Sequence, residues 1–218
     1  MIEETVKEQM ERIYGEIALA DIPWNNQAAP ALLLDAVAGR RPPPRRVIEL
    51  GCGAGNNVID LARLGLDITG VDIAETAIAI ASAAARRAGV ACRFVAADVL
   101  DDLAAIAGPF DFAYDWELLH RILPAERGTY VRNVHRLLEQ DGAYLSVCFS
   151  EQDPQFGGPG AGKLRKTAIG TELYCSSEEE IRSLLAPLFH VDELMTIDLR
   201  AKRGSHRAVW ALATRRGG

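Results

Sequence analysis

A chain of 218 residues is long enough to bury a full core in one domain, and its 49% apolar and 25% charged content is that of a globular protein. The net charge of -6 argues against the basic face of a general nucleic-acid binder, while leaving room for a small local basic patch. No apolar run reaches spanning length and the acidic start Met1-Ile2-Glu3-Glu4 lacks the marks of a signal peptide, so a cytoplasmic protein without membrane partners is expected.

In chain order, Ile2, Val6, Met10, Ile13 and Ile17 recur at helical spacing and predict an amphipathic helix that stops near Asp21-Ile22-Pro23-Trp24. A second helix is expected over 30–37, followed by a stiff linker, Arg40 to Arg46, whose arginines read as a solvated face. Strands and helices then alternate: strands at 46–50, 67–72, 90–96, 110–114 and 143–149, with helices at 56–64, 75–88 and around Tyr130 to Leu138. The stretch 150–174 reads as irregular. Ser177 with Glu180 forms a capping box for a further helix, and two apolar segments, 191–197 and 208–214, read as a closing hairpin.

The most informative stretch is Val47-Ile48-Glu49-Leu50-Gly51-Cys52-Gly53-Ala54-Gly55-Asn56, an apolar strand that runs into three alternating glycines at the start of a helix. Glycines so close together let the backbone turn sharply and approach a ligand. About twenty residues on, Gly70-Val71-Asp72-Ile73 ends a second strand in a carboxylate, where such folds bind a ribose hydroxyl. Together these features predict an adenosine-containing cofactor. The third glycine comes one residue too early for the G-x-G-x-x-G dinucleotide turn, and Glu49 would sit badly beside a pyrophosphate. It suits a ligand with a cationic amino acid end.

The pattern E-x-G-x-G-x-G resembles motif I of the class I S-adenosylmethionine-dependent methyltransferases. The resemblance extends over roughly 47–214 and implies a three-layer Rossmann-like α/β fold, with a seven-stranded, mostly parallel sheet and an antiparallel last strand at Ala208 to Ala213. It implies roles as well. Glu49, Gly51 and Gly53 would hold the methionine end of S-adenosylmethionine, with Cys52 a small side chain in the cofactor loop, and Asp72 would take the ribose. Ile73, Asp98 and Val99 would lie at the adenine, and Asp115 at the cofactor amino group or the substrate. A narrower similarity, Ile22-Pro23-Trp24 after an N-terminal helix, links the chain to the thiopurine and thiol S-methyltransferase group. There a tryptophan after a proline covers the cofactor. That group usually has an acidic residue next, and this chain has Asn25-Asn26.

Other readings stay open beside these. Asp72, Asp98 and Asp115 also suit helix caps, and Trp24 also suits a staple fastening the first helix to the body. Within Asp115-Trp116-Glu117-Leu118-Leu119-His120, Trp116 offers a flat wall for a substrate, and Asp115 and His120 are the candidate catalytic bases. A lone histidine between Leu119 and Arg121 also reads as structural. Tyr14 is a further pocket candidate. The glycine-rich run 156–166 reads as a lid whose Lys163, Arg165 and Lys166 attract an anion, or as a solvated loop.

Cys52, Cys92, Cys148 and Cys175 show no C-x-x-C pair, which argues against a metal site or disulfide framework. Redox or metalloid chemistry at Cys148 and Cys175 is the remaining option. The organisation expected is one domain over 1–218: an N-terminal lid and linker (1–44), a cofactor core (45–149), a lid-like insertion (150–176) and a closing helix and hairpin (177–218). The N/D-P-P-Y/F motif of nucleic-acid amino methyltransferases is absent after the fourth strand. The expected acceptor is therefore a small molecule, a thiol or other soft nucleophile first, with O- or N-methylation as the alternative and S-adenosylhomocysteine as product. A nicotinamide-dependent oxidoreductase and a non-catalytic cofactor-binding protein are the readings from other classes.

Overall fold

The computed structural model describes residues 4–158, 160–202 and 204–217. Ile2, placed in the first helix from its spacing, the rest of the Met1–Glu3 start, and Pro159 of the glycine-rich run lie outside the described residues. Seven strands form one mostly parallel sheet flanked by helices. The chain divides into two compact units, 1–106 and 107–218.

The first unit holds α1 (Val6–Glu16), α2 (Ala31–Gly39), β1 (Arg46–Leu50), α3 (Asn56–Arg63), β2 (Asp67–Asp72), α4 (Glu75–Ala88) and β3 (Arg93–Ala96). β1 pairs parallel with β2, and β2 parallel with β3. Val47, Ile48, Glu49 and Leu50 are all buried, the continuous burial of a strand covered on both faces. Two boundaries differ from expectation. α1 starts at a capping box of Thr5 and Glu8 and stops at Glu16, so Ile17 is an extended cap and Val6 lies exposed. β3 starts at Arg93, because Gly89 ends α4 in the left-handed region and Val90 still bonds back to Ala85.

The second unit holds β4 (Phe110–Trp116), α5 (Pro124–Leu137), β5 (Leu138–Phe149), β6 (Leu164–Lys166), β7 (Glu172–Tyr174), α6 (Glu178–Leu185), β8 (Phe189–Arg200) and β9 (Ser205–Arg215). β4 and β5 are parallel, and β9 runs antiparallel to both β5 and β8. The capping box of Ser177 and Glu180 opens α6 as its sequence requires. β4 continues two residues beyond the expected Tyr114, which places Asp115 and Trp116 inside the strand opposite Ser146 and Val147.

The stretch after β5 departs from the irregular expectation in its second half, where β6 and β7 form an antiparallel hairpin. Buried Arg165 fastens it by donating to the carbonyls of Glu151, Asp153, Gln155 and Gly162. Buried Arg127, on α5, donates to the carbonyls of Leu119, Ile122 and Tyr174 and to Ser176 Oγ. Main-chain carbonyls thus hold both guanidinium groups, which a solvated loop would leave to water.

Candidate functional site

In the first unit the glycine turn is built onto the end of β2. Gly51 N–H and Cys52 N–H both donate to Val71 O, at 2.8 and 2.9 Å. Gly53 N–H donates to Asp72 Oδ2 at 2.9 Å, and Ala74 N–H to Asp72 Oδ1 at 3.0 Å. Asp72 therefore clasps the turn and the residue that precedes α4 at once. Its carboxyl thus accepts backbone N–H groups from the turn and from the N-cap of α4. Burial pushes its pKa up, and the N–H groups of Ala74 and Gly53 draw it back down.

Gly53 has φ 53° and a neighbour that forbids a side chain: a Cβ there would lie 2.5 Å from Tyr14 Oη. Tyr14 is buried, and its hydroxyl accepts Trp24 Nε1–H at 2.9 Å. Burial, followed by the charge of Asp72, holds the Tyr14 phenol well above its ordinary range, with Cys52 and Glu49 adding to the effect. Tyr14, Trp24, Glu49, Cys52, Gly53 and Asp72 thus form one neighbourhood. Glu49 is buried at the end of β1 and accepts Asn57 Nδ2–H at 2.7 Å.

Three ties invisible to the sequence reading hold the N-terminal segment on this neighbourhood. Glu11 caps the first turn of α4 from α1, accepting Glu75 N–H at 2.6 Å and Thr76 N–H at 3.1 Å. Asn56 Nδ2 donates to Asn25 Oδ1 at 2.9 Å and to Asn26 O. Ala29 N–H donates to Asp60 Oδ2 at 2.8 Å. The two unusual asparagine features of the sequence are therefore partners of each other. Asp98 is half-buried and caps its own turn through Leu100 N–H at 2.9 Å, while Ala97 N–H donates to Asp72 O. Val99 is buried and Ile73 half-buried.

The second unit places Asp115 in the interior, with Leu119 N–H among its donors. It is fully buried and saturated: Tyr130 Oη donates at 3.0 Å, Ser146 Oγ and Leu119 N–H at 3.2 Å, and Tyr144 Oη closes the set. Four donors hold this carboxylate in one orientation. Burial raises its pKa, and the hydrogen bonds of Tyr144, Leu119, Ser146 and Tyr130 oppose that rise.

His120 stands in a 3₁₀ turn, Leu119–Arg121, with its ring stacked on Phe149 at 4.1 Å. Phe149 N–H donates to His120 Nδ1 at 3.3 Å, so the ring proton sits on Nε2. Burial, with Arg121, Arg127 and His206, drives its pKa well below the usual imidazole value. His120 is a neutral donor here, and its acceptor nitrogen is already engaged. Trp116 is buried in β4 beside it in sequence.

The expected cationic patch does not form. Lys163 pairs with Glu180 at 2.7 Å and Glu151 at 3.0 Å, Lys166 lies 3.8 Å from Glu172, and Arg165 is consumed by carbonyls. Cys148 and Cys175 are free and buried, and burial pushes their thiols up to about 12 and about 11, which leaves little thiolate for redox or metalloid chemistry. Two features here escaped the sequence reading. Glu117 has φ 67° immediately after β4, and His206 Nδ1 meets Asp153 Oδ2 at 3.0 Å while its ring stacks on Phe149 and Phe156. No periodicity or motif marks either.

The chain is similar to known methyltransferases. Residues 47–142 match the methyltransferase domain family. A ubiquinone biosynthesis O-methyltransferase of Caulobacter sp. (strain K31) is 33% identical over 46% of this chain and 39% of its own. Thiocyanate methyltransferase 1 of Arabidopsis thaliana is 28% identical over 63% of this chain and 60% of its own. The chain spans between about a third and three fifths of such curated relatives. Among solved structures, the Burkholderia thailandensis 1,6-didemethyltoxoflavin-N1-methyltransferase, crystallised with 1,6-didemethyltoxoflavin and S-adenosylhomocysteine, superposes with a TM-score of 0.69 at 28% identity. That match covers 91% of this chain and 82% of the other.

Proposed function

We infer, from a chain that belongs to the class I S-adenosylmethionine-dependent methyltransferases, that it transfers a methyl group to a small-molecule acceptor by in-line displacement. The observation that carries this reading is the clasp of the glycine turn by Asp72, a buried carboxylate beside bare backbone at the end of β2. The turn fits the cofactor. Glu49 supplies the anion that a cationic amino acid end needs, and Asp72 the carboxylate that a ribose needs.

When bound, S-adenosylmethionine supplies an activated methyl group on a sulfonium centre, and S-adenosylhomocysteine is the product. The chain's own part is to bind, orient and exclude water. We assign Glu49, Gly51, Cys52 and Gly53 to the methionine end, Asp72 to the ribose, and Ile73, Asp98 and Val99 to the adenine, with Tyr14 and Trp24 over the turn. Asp115 is left out of the set. Holding two reactants in line is worth roughly 7–11 kcal/mol, the larger share of what such an enzyme must provide.

For the acceptor we favour a thiol or other soft nucleophile, which needs the least help from a base; the likeness to thiocyanate methyltransferase 1 supports this choice. O- or N-methylation of a small metabolite is the second reading, and one observation favours it: the raised carboxyl of Glu117 next to β4. The test is incubation with S-adenosylmethionine and panels of thiols, phenols and heteroaromatic amines, with product mass as readout. Methylated thiols are expected. Reaction of the phenols or amines alone reverses the order, and no product with any panel overturns the reading.

A further inference from the structure

We propose that Glu117 is the general base of the acceptor side, taking the proton that an O–H, N–H or S–H acceptor loses as it is methylated. The proposal rests on the methyltransferase reading above and deepens it, because it selects acceptors that arrive protonated over pre-formed anions.

Four observations converge on this residue. Glu117 follows directly on the carboxyl end of β4, the end of an open α/β sheet where ligands meet. Its φ of 67° lies in the left-handed region, which favours glycine and strains a side-chain-bearing residue. Its backbone is nonetheless locked, since Glu117 N–H donates to Val147 O at 2.8 Å and continues the ladder past the strand. Its side chain is half-buried, still reachable, and makes no hydrogen bond among the described residues.

A strained backbone that presents an unengaged carboxyl is the arrangement of a functional group. A structural carboxyl would be saturated, as Asp115 is two residues earlier. The charged or titratable groups that act on Glu117 are His206 on β9 and Asp153 in the loop after β5. Asp153 is pinned by Gln155 N–H and Arg207 N–H, both at 2.7 Å, and His206 is pinned to it. Burial lifts the Glu117 carboxyl to about 7, with His206 drawing it down and Asp153 pushing it up. A base that titrates there is half in its active form at neutral pH.

The step balances. The acceptor's lone pair forms the bond to the methyl carbon, the carbon–sulfonium bond breaks with its electrons remaining on sulfur, and the acceptor proton passes to a Glu117 carboxylate oxygen and later to water. Below about 7 the carboxyl already holds a proton, so kcat/KM rises with pH and levels off above it.

The test compares the parent chain with Glu117→Gln, Glu117→Asp and Glu117→Gly against catechol, 2-mercaptoethanol, an imidazole and thiocyanate. For whichever protonated acceptors the parent uses, Glu117→Gln and Glu117→Gly should lose about 10²- to 10⁴-fold in kcat/KM together with the rising limb near pH 7. Glu117→Asp should recover part of the rate. Glu117→Gly should also raise Tm by about 2–4 °C, because glycine relieves the backbone strain. Carbon NMR of the parent should show a carboxyl titrating near 7 that Glu117→Gln removes.

Full activity and an unchanged limb in Glu117→Gln would overturn the proposal, as would a Glu117 carboxyl titrating in the ordinary range. So would loss of activity matched by loss of Tm in all three variants, which marks a structural role. A parent that methylates thiocyanate alone overturns the base and leaves the methyltransferase reading standing. One that consumes no S-adenosylmethionine with any acceptor overturns both.

Discussion

The hydroxyl of Tyr14 stands 2.5 Å from the point where a side chain on Gly53 would begin, and that same hydroxyl holds the indole of Trp24. The N-terminal helix and the segment after it are therefore fitted to the glycine turn, atom against atom. Gly53→Ala forces the phenol aside and strains a residue at φ 53°. A loss of about 1–3 kcal/mol in stability is expected from urea unfolding. At least a tenfold weaker affinity for S-adenosylmethionine should accompany it. An alanine variant with parental affinity would show that the turn does not touch the cofactor.

Asn56 acts on the same segment from the other side, through Asn25 and the carbonyl of Asn26. Asn56→Ala removes both bonds at a global cost of about 1 kcal/mol. The local effect should be larger: limited proteolysis between 17 and 30 should quicken several-fold, while hydrogen exchange in β4 and β5 stays unchanged. Uniform acceleration everywhere would mean that Asn56 supports global stability only.

Much of this was legible in the chain. The strands of the first unit carry continuous apolar runs, and the glycine turn carries a spacing that few other structures need. Ser177 and Glu180 announce their helix by position alone. What escaped has a common physical character. Arg127 and Arg165 act on main-chain carbonyls, which have no side-chain identity to read. The donors of Asp115 come from α5 and β5, far apart in sequence, so nothing local shows that the carboxylate is saturated. Glu117 is distinguished by a backbone angle, which a single letter does not reveal.

Asp115 was a candidate catalyst from its position, and its surroundings make it a hub. Asp115→Ala leaves the hydroxyls of Tyr130 and Tyr144 and the amide of Leu119 buried without an acceptor, and should cost about 2–5 kcal/mol by urea unfolding. In the folded fraction, kcat per active site should stay within a few-fold of the parent. A stable variant with no turnover would return Asp115 to the catalytic set.

The most direct measurement is calorimetric titration of the chain and of its Asp72→Ala variant with S-adenosylmethionine, with Tm recorded for both. The account predicts saturable one-site binding to the parent and at least a hundredfold loss in a variant that remains folded. No binding to the parent, or undiminished binding once the Asp72 carboxylate is gone, would contradict it.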